Sequence, residues 1–317
     1  MKLLFNKIFL EHDTGMHPEN RKRLDSLGSL EETEILPMPD LLELVHTRQY
    51  IKGVKKACKT SGHLDPDTVT SQKSYEAAVA AATATVMASE TNDFALVRPP
   101  GHHAHPDRSS GFCIFNNIAI AVRKLLMQKK RVLIFDFDGH CGDGTSKIFY
   151  DSDKALYISL HQFPAFPGFG SADEIGSGKG RGYTINVPLP PGAADDIFLD
   201  AVDRVLLIAK QFKPDCVAVS AGFDSHQHDL LLDLRLSANA YYELGKKLRI
   251  FPNIFATLEG GYNVEVFPKC LHNFVDAMNG RQQQYFEDST DSRIIVAEEL
   301  ESRMARLEKV LCDYWKV

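Results

Sequence analysis

The sequence predicts an α/β fold, a mostly parallel sheet with helices on both faces. Three observations predict it. The 317 residues are 44% hydrophobic and 25% charged, an ordinary globular balance with enough apolar mass for one large core. Short apolar runs alternate with helical patterns from about residue 75 to about 280, and strand–helix–strand alternation at this spacing builds parallel sheets. Four of the apolar runs end in chemically active residues, and in open α/β sheets ligands bind beyond the carboxyl ends of the strands.

The elements follow in order. Residues 1–10 are mildly apolar and are expected to form a first strand. Lys7 interrupts them, Glu11-His12-Asp13 follows, and no small-residue cleavage pattern is present, which argues against a signal peptide. Residues 75–88 are Ala-rich and helical. The short strand 94–97 stops at Pro99-Pro100. Residues 117–127 read as a helix, 132–136 as a strand, 144–150 as a helix and 155–160 as a strand. The stretch 163–182, rich in Gly, Pro and Phe, is expected to be a long ordered loop on the functional rim. A long amphipathic helix over 195–212 leads to the strand 216–220. Residues 237–248 are helical with Ser237 as N-cap, and 254–258 form the last clear strand. A helix over 296–315 is expected to pack on the outside.

Some function classes are excluded. The net charge is −6 and no basic stripe is present, which argues against nucleic-acid binding. No apolar run approaches the roughly 20 residues of a membrane helix. Cys58, Cys113, Cys141, Cys216, Cys270 and Cys312 are scattered without a C-x-x-C, the pattern of reduced thiols and a cytoplasmic protein.

The chemistry begins at the end of the strand 132–136, which runs into Asp136-Phe137-Asp138-Gly139-His140. Alternation places Asp136, Asp138 and His140 on one side of an extended backbone. With Asp224 of Gly222-Phe223-Asp224 at another strand end, Asp138 and His140 give a three-ligand set with open positions, the pattern of a catalytic metal. Ordinary loop acids are the plain alternative. A second alternative is the aspartyl nucleophile of haloacid-dehalogenase-like phosphatases, which Phe135-Asp136-Phe137-Asp138-Gly139 resembles. That motif continues with Thr, where this chain has His140, and stands near the start of its domain. His102-His103 follow Pro99-Pro100-Gly101, and Gly101 permits the sharp turn that brings both imidazoles to one cleft. Alone they could be a surface pair. Glu259-Gly260-Gly261-Tyr262 allows close backbone approach and offers a hydroxyl that can stabilise an oxyanion, or is a Gly-rich turn with a packing Tyr.

Together these motifs resemble the zinc-dependent histone deacetylase superfamily, within the arginase/deacetylase fold. The resemblance runs from about residue 11 to about 279. It is carried by His12-Asp13, His17-Pro18-Glu19-Asn20, Pro99-Pro100-Gly101-His102-His103, Gly111-Phe112-Cys113, Asp136-x-Asp138-x-His140, Ser159-Leu160-His161, Gly222-Phe223-Asp224 and Gly260-Gly261-Tyr262. It is nearest to the bacterial and class II-like group of lysine deacetylases and acetylpolyamine amidohydrolases. The resemblance implies one catalytic domain over 1–317 without regulatory extensions, holding one Zn²⁺ on Asp138, His140 and Asp224. It implies His103 as general base and acid and His102 as electrostatic partner, oriented by Asp143 and Asp136 respectively, with Tyr262 on the substrate carbonyl. Phe112 and Phe166 would flank an acyl-lysine channel, Gly111 would contact the amide, Leu231 would be a gate residue and Asp65 would clamp the substrate backbone. A structural K⁺ would sit among Asp136, Asp138, His140, Ser159 and Leu160.

Two features depart from the pattern: Cys141 stands where many members have a second His, and the chain is short. An arginase-like site would need a second metal and carboxylates where this chain has Gly142 and His226, so one metal is the expected count. The implied substrate is an acyl-lysine peptide or protein, because Leu231 is neutral, although Asp229 and Asp233 flank it. An acetylated small amine such as a polyamine is the alternative, and a silent binding protein on the same fold is the alternative of another class.

Overall fold

The computed structural model describes residues 1–316. Its first part holds β1 (Leu3–Leu4), α1 (Lys22–Asp25), α2 (Arg48–Lys59), the pair β2 (His63–Asp65) and β3 (Thr68–Val69), α3 (Ser74–Thr91) and β4 (Phe94–Ala95). Then come α4 (Asn117–Met127), β5 (Val132–Asp136), α5 (Asp143–Phe149), β6 (Ala155–Gln162), β7 (Thr184–Leu189) and α6 (Asp195–Phe212). The last elements are β8 (Cys216–Ala221), α7 (Ala238–Leu248), β9 (Ile254–Leu258), α8 (Phe267–Met278) and α9 (Ile294–Leu311). Seven strands form one sheet in the order β1-β4-β9-β8-β5-β6-β7, and every pairing is parallel. Helices α3 and α4 pack on each other and on the central strands. Helices α6, α7, α8 and α9 form a second group, which reaches β6 and β7. The expected α/β architecture is the observed one. No helix among the described residues is long and apolar enough to cross a membrane.

The central strands β5, β6 and β8 are buried along their whole length, as a sheet covered on both faces requires. Helix α3 is buried nearly all round, because its Ala run lets neighbours approach closely. Thr83 and Thr85 return their hydroxyls to the carbonyls of Val79 and Ala81, so no polar side-chain group is stranded there. Ser237 caps α7 as expected, its hydroxyl accepting the Asn239 N–H at 3.2 Å. Register then aligns the chemistry. Asp136 at the end of β5 stands opposite Ser159 of β6 and Ser220 of β8, and Ser220 stands opposite Thr257 of β9.

Some expectations are corrected. The strand expected over 1–10 is two residues long. Asn6 ends it by accepting the Ile8 N–H at 3.0 Å, which starts a 3-10 turn over Lys7–Glu11. The outer helix runs Ile294–Leu311 rather than 296–315. Strand β7 lay hidden after the Gly-rich loop because Pro188 interrupts its pattern; Pro is tolerated there because β7 is an edge strand.

The N-terminal segment is fastened to the sheet by charge. Glu19 is buried and receives Arg98 Nε at 2.6 Å and Nη2 at 2.8 Å, with Arg23 Nη1 at 3.2 Å. Burial alone would raise the Glu19 carboxyl, but the Arg98 guanidinium outweighs it and holds the group down at about 2. A carboxyl held below its ordinary value near 4.5 stabilises the fold above that pH, and the contribution disappears as pH falls through about 2. Glu19→Ala leaves two buried guanidinium groups without their shared partner, and a loss of about 3–5 kcal/mol is expected. Urea unfolding at pH 7 reads that loss. A midpoint unchanged from wild type would show that the cluster adds nothing to the fold.

Candidate active site

The site is built on the carboxyl ends of β4, β5, β8 and β9. Asp138, His140 and Asp224 are buried and bring one ligand atom each to within 4.8 Å of one another. His140 Nδ1 lies 2.8 Å from Asp224 Oδ2 and 3.2 Å from Asp138 Oδ1. Backbone N–H groups fix the carboxylates: Gly260 donates to Asp138 Oδ2 at 2.7 Å, and Gly139 donates to Asp224 Oδ1 at 2.8 Å. Glycine is required around them. A Cβ at Gly222 would stand 2.0 Å from Asp138 Oδ2, and one at Gly260 would stand 2.5 Å from Asp224 Oδ2. Burial alone would lower the His140 imidazole, yet the Asp224 and Asp138 carboxylates raise it to about 10. Two buried carboxylates around one imidazole therefore demand positive charge, and the N and O donors suit a divalent ion such as Zn²⁺.

The two histidines beyond β4 divide into two roles. His102 Nδ1 is 3.2 Å from Asp136 Oδ2, and His103 Nδ1 is 2.8 Å from Asp143 Oδ1. Burial disfavours a charged His102, but Asp138, Asp136 and Glu259 outweigh it and raise the group well above its ordinary value. For His103, burial and then the neighbouring His102 lower the imidazole to about 4, against the pull of Asp143. The two imidazoles are pushed in opposite directions, which is how an electrostatic partner and a base are separated in one site. With Nδ1–H donated to Asp143, His103 keeps Nε2 as its free basic nitrogen.

His103, His140 and Tyr262 line a cavity of about 450 Å³ together with Gly111, Phe112, Phe166, Leu231, His17, Pro18 and Asp67. Gly111 and Phe112 both have positive φ, at 50° and 70°, and the Phe112 ring packs edge-on against Tyr262 and His17. A Cβ at Gly111 would stand 2.6 Å from His103 Cδ2, so only glycine lets this loop reach the imidazole. Phe166 packs edge-on to His103 with centroids 5.1 Å apart, and it belongs to the loop expected over 163–182. That loop is ordered by its own bonds, with Glu174 Oε1 accepting the N–H groups of Gly170 and Ser171.

Of the expected residues, His103, Gly111, Phe112, His140, Phe166, Leu231 and Tyr262 line this cavity, and Asp65 does not. Asp65 receives the Ser109 hydroxyl at 2.5 Å and does not line the channel; Asp67, two residues on, does. Ser159 stands beside Asp136 in register, and its hydroxyl pairs with His161 Nδ1 at 2.8 Å. Asp229 is buried. Its Oδ2 accepts the N–H groups of Tyr262 and Asn263, at 2.7 and 3.0 Å.

Several supporting residues had no assigned role. Glu259 Oε2 accepts the N–H groups of Gly101 and His102 at 2.7 and 3.1 Å and so shapes the histidine turn. Arg23 donates to the carbonyls of Gly261 and Glu259, both at 2.6 Å, and so holds the Tyr262 loop. Tyr157 donates its hydroxyl toward Asp136 Oδ2 at 3.1 Å. The signal for Glu259 was an acid at a strand end directly before Gly-Gly; Arg23 and Tyr157 carried no local signal.

A parallel α/β sheet with an Asp/His/Asp cluster and a His pair on its rim gives a hydrolase-type site with a candidate metal centre. The histone deacetylase domain model matches residues 17–278, and the chain belongs to that family. A probable deacetylase of Archaeoglobus fulgidus is 35% identical, over 99% of this chain and 98% of that protein. A histone deacetylase-like amidohydrolase of Pseudomonas aeruginosa is 34% identical over 83% of this chain and 76% of its own length. Among solved structures, the HDA15 HD domain superposes with a TM-score of 0.87 at 29% identity, covering 99% of this chain and 97% of that one.

Proposed function

We propose that the protein is a zinc-dependent amidohydrolase that removes acetyl or a similar acyl group from lysine side chains. The observation that carries this reading is the channel, where His103, Tyr262 and the metal-ligand candidate His140 share one cavity walled by Phe112 and Phe166. Apolar walls suit the methylene stem of an acyl-lysine. Asp138, His140 and Asp224 would hold Zn²⁺, which supplies Lewis acidity that activates water and polarises the acyl carbonyl. His103 Nε2 takes the proton of the attacking water and later delivers it to the departing lysine nitrogen. Asp143 holds that imidazole in the required tautomer. His102, paired with Asp136, adds positive charge beside it. The Tyr262 hydroxyl donates to the carbonyl oxygen as it becomes an oxyanion.

One metal is the count we favour. A side chain at position 142 would overlap Asp136 Oδ2 at 2.3 Å, and His226 Nε2 is paired with Glu287 at 2.9 Å. The reading adds a structural K⁺ among Asp136, Asp138, His140, Ser159 and Leu160. It also takes the described chain as one catalytic unit acting in the cytoplasm, and gives Asp67 the substrate-backbone contact first expected of Asp65. Neutral Leu231 lines the channel, which supports acyl-lysine over a free polyamine, although Asp67 lines it too.

The deciding experiment compares kcat/KM on an acetyl-lysine peptide and on N-acetylated spermidine. A large advantage for the polyamine would reverse the substrate choice. No turnover of any acylated amine by zinc-loaded protein would favour a silent binding protein. Chelation should abolish turnover, and about one equivalent of zinc per chain should restore it. Full activity in metal-free protein would refute the zinc requirement.

A further inference from the structure

Asp143 has two carboxylate oxygens and two imidazole partners. Oδ1 is taken by His103 Nδ1 at 2.8 Å, and Oδ2 lies 2.7 Å from Nε2 of His105. His105 is only 6% exposed, and its backbone is fixed on both sides. Its carbonyl accepts from His46 Nδ1 at 3.0 Å, and its N–H donates to the Arg108 carbonyl at 3.0 Å.

His105 does not belong to the substrate channel. With Asp143 it lines a separate cavity of about 310 Å³, whose walls include Arg108, Cys141, Lys147 and Glu174. That cavity and the channel share no lining residue. The chain His103–Asp143–His105 therefore runs from the channel, through a buried carboxylate, to the wall of a second cavity.

We propose that His105 is a positioning residue for the hydrolysis: it donates Nε2–H to Asp143 Oδ2 and pins the carboxylate that orients His103. The proposal rests on the amidohydrolase reading given above. A carboxylate bound at one oxygen can rotate about its Cβ–Cγ bond, and a second anchored oxygen stops that rotation. Outer partners of this kind typically alter activity by about 10- to 100-fold when removed.

Charged groups gather around His105. Asp143 and Lys147 come from α5, Arg108 and Asp107 from its own loop, Glu174 from the Gly-rich loop, and His46 from the segment ahead of α2. Arg108 Nη2 lies 3.0 Å from the same Nε2. A guanidinium donor and a carboxylate acceptor thus face one nitrogen, and the Nε2–H form satisfies the carboxylate.

The test uses the zinc-loaded full chain with His105→Leu and His105→Gln. For His105→Leu, kcat on an acetyl-lysine peptide should fall by about 10- to 100-fold, with KM within about twofold and zinc content retained. His105→Gln keeps an N–H for Asp143. It should recover most of kcat. In parallel, the low-field Nδ1–H proton of His103 should be seen by NMR in wild type and in His105→Gln and be lost in His105→Leu. Wild-type kcat in His105→Leu, or no recovery in His105→Gln, would overturn the proposal. A wild-type protein inert on every acylated amine would overturn the functional reading instead, and the NMR comparison would still decide the contact.

Discussion

Asp138→Asn is expected to strip the protein of zinc and of turnover while leaving the fold in place. The substitution keeps the shape of the side chain and removes its charge. Asp138 is the most committed group of the rim: Oδ1 accepts the His140 N–H at 2.9 Å, Oδ2 accepts the Gly260 N–H at 2.7 Å, and the same carboxylate helps raise His140. A neutral amide cannot supply the anionic ligand, and its NH₂ would meet the Gly260 or His140 N–H donor head on. Zinc affinity should fall by more than the roughly 10- to 100-fold seen for residues that only support a ligand. Gly222→Ala offers an independent route to the same loss. It changes no ligand, but its Cβ would stand 2.0 Å from Asp138 Oδ2 and force the carboxylate away. Zinc content by mass spectrometry and far-UV circular dichroism read both effects. An Asp138→Asn protein with one tightly held zinc and full activity would remove the metal centre from this rim.

Tyr262→Phe should lower kcat by about 10²–10³ while zinc content and stability stay nearly unchanged, the cost of one oxyanion donor. The hydroxyl is suited to that task. Burial pushes it well above the ordinary range despite the Arg23 guanidinium, which lies 4.9 Å from the ring centroid. A phenol raised in this way favours its protonated form, which can donate. His103→Ala should cost about 10²–10⁴, because it removes the proton carrier. The double variant should be little worse than the poorer single one, since both groups serve the same tetrahedral intermediate. Near wild-type kcat in Tyr262→Phe would mean that the ring only packs against Phe112.

The central sheet and the metal-ligand candidates were legible because both follow from local pattern. Apolar runs of strand length ended in Asp-x-Asp-x-His and Gly-Phe-Asp, and the register of β5, β6 and β8 carried those ends to one level. Local pattern failed where a few residues decide the direction of the chain. Asn6 turned an apolar start into a 3-10 helix, and Pro188 masked an edge strand. Between β2 and β3 the register shifts at His63–Asp65, so simple alternation could not tell which of Asp65 and Asp67 faces the channel. The supports of the rim were illegible for another reason. Arg98 and Glu19 lie 79 residues apart, and Arg23 and Gly261 lie 238 apart. No window of sequence contains both partners.

That last separation governs the order of events during synthesis. A ribosome adds on the order of 5–20 residues per second and releases the N-terminal segment first. Arg23 leaves it long before Gly261 exists, so for most of translation the buried guanidinium groups have only part of their final surroundings. The Tyr262 loop cannot be fastened until nearly the whole sheet is made. Nascent chains arrested before residue 258 should therefore carry β5 and its Asp and His residues but no competent rim. Limited proteolysis of such arrested chains should cut the N-terminal segment ahead of α2 readily, and protection should arrive only once β9 and the loop beyond it have emerged.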